Sequence, residues 1–133
     1  MGDCLKERLL DNAAVPHSGL DAGALDQLAA SIGAENLVGV MDQVLRSASH
    51  ARQELSRAGR DLARVAGIAH SVKSECAYMG ATGLAQRLQD FETTVRHQGR
   101  PETLDVLPAI LAELDRFLDE VRRERDARAT AGS

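Results

Sequence analysis

Residues 62–95, LARVAGIAHSVKSECAYMGATGLAQRLQDFETTV, contain two amphipathic helical segments separated by one short break. In both segments the apolar residues recur at steps of three and four, which is the spacing of a single helix face. The members of the two faces are Leu62, Val65, Ala69, Val72, Cys76 and Met79, and then Leu84, Leu88, Phe91 and Val95. Gly80 ends the first helix, and Gly99 ends the second. Because each helix must bury one face against other helices, this stretch predicts a helical bundle.

The chain on both sides of this stretch shows the same helical periodicity. The pattern predicts a short helix from Asp21 to Gly33, a long helix over 34–58 and a last helix that follows Pro101. Pro108 falls inside the last pattern and predicts either a kink or a later start of the helix. No segment combines alternation of period two with a β-branched or aromatic run. The predicted fold is therefore all-α, an antiparallel four-helix bundle with additional short N-terminal helices.

The 133-residue chain has the length of one domain, and breaks in its helical pattern divide it into three parts. Residues 1–19 are predicted to be an N-terminal helix or linker, because a short amphipathic pattern over 3–12 precedes a break rich in Pro and Gly. Residues 20–126 are predicted to form the bundle, and 127–133 a disordered tail. The initial Met suits a free-standing protein, but the sequence leaves open that the chain is the end of a larger protein.

The charge and the aromatic content argue against nucleic acid as a partner. The chain has 16 Lys and Arg against 20 Asp and Glu, and its formal charge of −4 has the wrong sign for gripping phosphate backbones. With two Phe, one Tyr and no Trp, it also lacks the aromatic surfaces on which single strands stack.

The cysteines and the apolar runs indicate the cellular setting. Cys4 and Cys76 belong to no CxxC pair or Cys/His cluster, so no structural zinc site is expected. One disulfide between them stays possible, although a reduced setting fits two cysteines better. No apolar run has the length of a membrane span, and the N-terminus lacks the apolar stretch of a secretory signal. We therefore expect a cytoplasmic protein without a membrane partner.

His70 is the candidate reactive residue, because it lies beside the apolar face of its helix rather than in it. Its neighbours on the helix surface are Ala66, Gly67, Lys73 and Ser74, with Ala77 one turn further. All of them except Lys73 are small. Since a glycine inside a helix costs about 0.5–1 kcal/mol relative to alanine, Gly67 needs a reason, and space around an imidazole would be one. The residues alone leave open an ordinary surface histidine in an Ala-rich helix.

The other three histidines have sufficient structural explanations. His17 lies in the Pro/Gly break, and His50 lies on a polar helix face. His97 lies near a helix C-terminus, where a cation is mildly favoured.

Residues 68–92, IAHSVKSECAYMGATGLAQRLQDFE, resemble the histidine-containing phosphotransfer (HPt) domain of multistep two-component phosphorelays. The family signature is a histidine, a lysine three residues on, small residues after it and Gly-Ala at the end of the helix. In this sequence these residues are His70, Lys73, Ser74, Gly80 and Ala81. The resemblance implies that His70 accepts a phosphoryl group from a receiver-domain aspartate and passes it to another.

A neutral imidazole can act as a nucleophile through one nitrogen when the other nitrogen carries the proton. In the family a Glu or Gln on the next helix, 22 positions after the histidine, often accepts the hydrogen bond that fixes this state, and here the position is Glu92. The helical wheel agrees, since Gln89 and Glu92 share the flank that packing would bring towards His70. Gln89 is the weaker candidate for this role.

Lys73 is expected to stabilise the phosphoryl group, because an ammonium one turn along the helix can reach oxygens on the histidine nitrogen. Arg87 is expected to add positive field or to contact a partner. The resemblance further implies that a receiver domain docks on Ala66, Gly67, Ser74 and Ala77. Ser74 stands where the family usually has Gly, which reduces the clearance. Glu75 replaces a usual Ser or Ala and lies roughly 140° around the helix from His70, so it should affect partner choice without blocking the ring.

The first hypothesis is a monomeric phosphorelay intermediate whose partners are response-regulator receiver domains, a hybrid histidine kinase, or both. The chain is too short to include a kinase ATP-binding domain and lacks a Gly-rich nucleotide loop after a strand, so a phosphoryl carrier is expected rather than an enzyme. No cofactor or metal is expected on this chain, since the receiver's acidic pocket would hold the Mg²⁺. The second hypothesis is a helical adaptor that binds a receiver or another regulator without phosphotransfer, and the third is helical packing without a site.

Overall fold

The computed structural model describes residues 19–131, which form five α-helices and one 3₁₀ helix. The α-helices are α1 (Ala22–Ile32), α2 (Ala34–Arg57), α3 (Leu62–Tyr78), α4 (Thr82–Gln98) and α5 (Leu107–Ala131), and the 3₁₀ helix is Pro101–Val106. This part of the chain contains no strand. The all-α prediction is confirmed: α2 to α5 are the long helices of the bundle, and α1 is a short N-terminal helix. The helix expected over 3–12 lies outside the described residues.

The connection between α3 and α4 sets the geometry of the site. Gly80 has a φ of 82° there, in the left-handed region that glycine adopts without strain. A Cβ atom at this position would lie 3.1 Å from the backbone nitrogen of Asp21, so Gly80 also lets the turn pack against the start of α1. Asp21 in turn caps α1, since its carboxylate accepts a hydrogen bond from the amide of Ala24 at 3.2 Å. The tight turn returns α4 along α3, and these two helices pack closely along their lengths.

The core consists of the apolar faces read from the sequence. Every apolar residue named for 62–95 is buried except Leu62, which is half-buried. Cys76 is one of the buried residues and is a free thiol. Burial and the neighbouring charge of Glu75 raise the pKa of Cys76 to about 12, so the thiol stays protonated and packs as a small apolar group. Within residues 19–131, no helix is both long and apolar enough to cross a bilayer.

The two ends of α5 differ in how well they agree with the sequence-based prediction. The start answers the question left open at Pro108, and the end lies beyond the predicted boundary. Pro108 is the second residue of α5, where a missing amide hydrogen breaks no intrahelical bond, so it marks a later start and not a kink. The predicted tail boundary at 127 is wrong for 127–131, because α5 continues to Ala131. Arg128 explains the extension: it binds Glu124 on α5 and Asp26 on α1, each at 2.9 Å, and thereby ties the end of α5 to the bundle.

Arg87 is wrongly placed by the sequence analysis, which expected it to face a partner. Its side chain is 1% exposed and forms an ion pair with Glu113 of α5, which is also buried. The reason is its position, three residues after Leu84 and four before Phe91, which puts it on the apolar face of α4. Burial, assisted by the charge of Arg116, lowers the pKa of Arg87. The guanidinium therefore joins α4 to α5 inside the protein and does not reach the surface.

Breaking this pair should destabilise the fold strongly. We expect Arg87→Met to lower the free energy of unfolding by about 3–5 kcal/mol, because Glu113 is then left buried without a partner. The double substitution Arg87→Met/Glu113→Leu should recover most of that loss, since no buried charge remains. Urea denaturation followed by circular dichroism measures both.

The exposed pair of Arg122 and Asp119, at 3.0 Å on α5, is the matched control. Arg122→Met should change the free energy of unfolding by less than about 1 kcal/mol. Equal losses for Arg87→Met and Arg122→Met would show that the buried pair does not contribute to stability as described.

Candidate functional site

His70 and Glu92 meet across the interface of α3 and α4. The imidazole is 62% exposed, whereas the carboxylate is only 9% exposed, and His70 Nδ1 lies 3.1 Å from Glu92 Oε1. The contact arises because α3 and α4 bury their apolar faces against each other, which brings the flanks of those faces together. The structure thus brings together the two residues that the sequence analysis paired.

This contact selects one tautomer of His70. A carboxylate only accepts hydrogen bonds, so the proton of a neutral ring must be on Nδ1 and is donated to Glu92 Oε1. The lone pair then lies on Nε2, at the outer end of the ring. Lys73 Nζ is 3.4 Å from Nδ1, but in this tautomer Nδ1 has no lone pair to offer it. The arrangement therefore presents an exposed nucleophilic nitrogen on a ring whose other nitrogen is held.

Lys73 lies one turn after His70 and is 19% exposed. Its ammonium donates to the side-chain oxygen of Gln89 and lies 3.3 Å from Glu92 Oε1. Gln89 itself donates to Thr93 Oγ1 at 3.1 Å. Gln89, the weaker candidate for orienting the imidazole, therefore contacts Lys73, while Glu92 occupies the position at Nδ1. The lysine is held beside the ring by one amide and one shared carboxylate oxygen.

Arg96 also contacts Glu92, and it was not predicted from the sequence. Its Nε donates to Glu92 Oε2 at 2.9 Å, while its side chain stays half-exposed. Burial raises the pKa of Glu92, but hydrogen bonds from Arg96, His70 and Lys73 and the charge of Lys73 outweigh it, so the net pKa is below the ordinary value. Glu92 is thus ionised at neutral pH. The signal that could have found Arg96 is its spacing, four residues after an acidic residue on one helix.

The expected docking face of α3 is exposed at two of its four positions, and a third, Gly67, is half-buried. Ser74 and Ala77 are exposed, and Gly67 has open space where a Cβ atom would lie. Ala66 is fully buried, so the expectation that it contacts a partner is wrong. Its spacing explains the burial, because it lies three residues before Ala69 and joins the edge of the apolar face.

Ser71 and Tyr78 extend this exposed face, and neither was identified from the sequence. With Gly67 and Ser74 they are spaced by four, three and four residues, so all four lie on one side of α3. Among residues 19–131, Tyr78 is the large apolar side chain that is exposed to solvent, at 51%. Charged side chains border this face, since Gly67 and Ser71 line one groove with Glu54, Arg64 and Glu75.

Glu75 does not point towards the imidazole. Its carboxylate reaches α2 and accepts a hydrogen bond from Ser47 Oγ. This agrees with the expectation that Glu75 leaves the ring unobstructed. Among residues 19–131, no group of three or more His, Cys, Asp or Glu side chains is arranged to hold a metal ion.

The comparisons with known proteins identify the family. A family model described as "Hpt domain" matches residues 7–124, which is most of the chain. No curated protein and no solved structure gives a significant match. The family match covers the helices that carry His70, Lys73 and Glu92. On this match and on the helical bundle that contains it, the chain belongs to the Hpt domain family, the phosphotransfer domains of two-component signalling.

Proposed function

We propose that this chain relays a phosphoryl group between receiver-domain aspartates, with His70 as the residue that carries it. One observation carries the proposal: an exposed imidazole has its Nδ1 bonded to an ionised carboxylate, Glu92, so that Nε2 is the available nucleophile. Membership of the Hpt domain family supports the same reading.

In the forward step, His70 Nε2 attacks the phosphorus of a receiver's aspartyl phosphate. The Nε2–P bond forms as the P–O bond to the aspartate breaks, and the electron pair leaves with the aspartate carboxylate. The proton stays on Nδ1, so the ring gains a positive charge as it becomes phosphorylated. Glu92 lies 3.1 Å from that nitrogen and stabilises the developing charge. The reverse reaction delivers the phosphoryl group to the aspartate of a second receiver.

Lys73 has the position to stabilise the phosphoryl oxygens. It lies on the same helix one turn from His70, and Gln89 and Glu92 hold its ammonium beside the ring. Its side chain is 19% exposed, and rotation of this flexible side chain would carry the charge to the incoming group. The small residues Gly67, Ser74 and Ala77 leave room for the receiver's aspartate to approach.

We propose a phosphoryl carrier without kinase activity of its own, which acts as a monomer in the cytoplasm. Its partners would be receiver domains, a hybrid histidine kinase, or both. The Mg²⁺ that such transfers use would be held by the acidic pocket of the receiver.

The first test is phosphorylation by a receiver. Incubation with a receiver carrying labelled aspartyl phosphate should transfer acid-labile, base-stable label to the wild-type chain, and His70→Gln should abolish it because the acceptor nitrogen is lost. His50→Gln is the matched control, since His50 is also an exposed helical histidine beside a glutamate, with Nε2 3.9 Å from Glu54 Oε1.

The outcomes separate the hypotheses. Label that persists in His70→Gln, or that His50→Gln removes, would contradict the assignment of the acceptor. Stable binding of a receiver with no label under any condition would favour the helical adaptor.

The second test concerns Lys73. Lys73→Ala should slow transfer from the receiver by about 10-fold to 100-fold, because the phosphoryl oxygens lose their nearest cation. Rapid-quench kinetics measures the rate, and circular dichroism should show an unchanged fold. A transfer rate within twofold of wild type would show that another group stabilises the phosphoryl oxygens.

The third test uses two glycines that face open space, Gly67 on α3 and Gly39 on α2. Gly67→Gln and Gly39→Gln should each leave the free energy of unfolding equal or raised by up to about 1 kcal/mol, because glutamine is the better helix former. Only Gly67→Gln should slow transfer from the receiver, since its side chain fills space beside His70. Equal transfer rates for the two variants would remove the clearance role of Gly67.

A further inference from the structure

We propose that Arg96 is a positioning residue, which serves as the charge partner of Glu92 while Lys73 turns to the phosphoryl group on His70. This inference rests on the proposed function of His70 and adds a residue that acts on the reaction through Glu92.

The two oxygens of the Glu92 carboxylate have different partners. Oε1 accepts from His70 Nδ1 at 3.1 Å and lies 3.3 Å from Lys73 Nζ, whereas Oε2 accepts from Arg96 Nε at 2.9 Å. His70 and Lys73 approach from α3, but Arg96 lies on α4 itself, one turn after Glu92. The arginine contact therefore stays in place when groups on α3 change their contacts.

The charge balance changes during phosphorylation. Before transfer, the two cations Lys73 and Arg96 share one carboxylate, and the His70 ring is neutral. The phosphoryl group then adds close to two negative charges at Nε2, one helical turn from Lys73 on the same helix. If Lys73 and His70 were the only cations near Glu92, the move of Lys73 to the phosphoryl oxygens would leave the nearly buried carboxylate with the phosphorylated ring alone. The phosphoryl group also adds more negative charge than the ring gains positive charge, and both changes favour protonation of the carboxylate.

A protonated Glu92 would no longer stabilise the positive ring of phosphorylated His70. Arg96 prevents this, because its guanidinium donates a charge-assisted hydrogen bond to the carboxylate from the same helix. Its Nε is bonded to Oε2, the carboxylate oxygen that does not contact the imidazole. Arg96 thus fixes the rotation of the carboxylate, so that Oε1 remains directed at Nδ1.

A double-mutant cycle tests this role. Arg96→Gln should lower the rate constant of transfer by about tenfold in the wild-type background, with the KM for the phosphorylated receiver unchanged. In the Glu92→Gln background, Arg96→Gln should change the rate constant less than about twofold, because a neutral amide needs no cation. Equal slowing in both backgrounds would mean that Arg96 acts directly on the phosphoryl group or the receiver, and this would overturn the proposal.

Arg128 supplies the matched control. Its Nε binds Glu124 Oε1 at 2.9 Å with the same spacing of four residues, near the end of α5. Arg128→Gln should leave the transfer rate within twofold of wild type. Slowing by Arg128→Gln that equals the effect of Arg96→Gln would show a general loss of helix structure and would overturn the proposal.

A second readout does not need phosphotransfer. The side-chain carboxyl ¹³C resonance of Glu92, followed against pH in the unphosphorylated chain, reports the pKa of Glu92. The groups facing this carboxylate are His70 and Lys73 from α3 and Arg96 from α4. Arg96→Gln removes one hydrogen bond that lowers the pKa, so the midpoint should move to higher pH, and the acid limb of the transfer rate should move with it.

An unchanged midpoint in Arg96→Gln would overturn the proposal. The two parts of the experiment fail in different ways. A wild-type chain that takes no label at His70 removes the proposed function, whereas a labelled wild-type chain with an unaffected Arg96→Gln variant removes only the role of Arg96.

Discussion

The hydrogen bond between His70 Nδ1 and Glu92 Oε1 is the interaction on which the site depends. It joins two helices, so it exists only because α3 and α4 pack face to face after the turn at Gly80. The same bond determines which ring nitrogen carries the proton and which faces solvent. Burial of apolar faces thereby fixes a chemical property, the tautomer of one exposed imidazole. The nitrogen proposed to react, Nε2, needs no pocket of its own, because Nδ1 of the same ring is held from the side of the core.

The rotation of α4 about its own axis is therefore as important as its distance from α3. Two contacts on opposite sides of α4 act on this rotation. On one side Arg87 forms its buried ion pair with Glu113 of α5, and on the other Glu92 meets His70. Because Arg87 and Glu92 are five positions apart on one helix, roughly 140° around its axis, a change in rotation that favoured one contact would disturb the other. The buried pair thus contributes to the geometry of the site although it takes no part in the chemistry.

The helical wheel accounts for what the sequence predicted and for what it missed. The spacing of apolar residues predicted the bundle, and the flanks of two apolar faces agreed with the family resemblance in placing Glu92 near His70. The wheel gives the direction of a side chain around its own helix, but it does not show which directions the neighbouring helices cover. Ala66 and Arg87 were expected at the surface for this reason and are buried. The helix over 127–131 depends on a contact with α1, more than a hundred positions away, which no local pattern contains.

The identity of residue 92 explains why the site contains two cations. An amide at this position could accept a hydrogen bond from Nδ1–H without any counter-charge. A nearly buried carboxylate, in contrast, is stable in its ionised form only with positive groups around it. Lys73 and Arg96 meet that requirement from two different helices. For the proposed transfer a carboxylate also offers more than an amide, because its full negative charge would stabilise a ring that becomes cationic on phosphorylation. Glu92 and its two cations therefore form one unit, and replacing any one of the three changes what the other two can do.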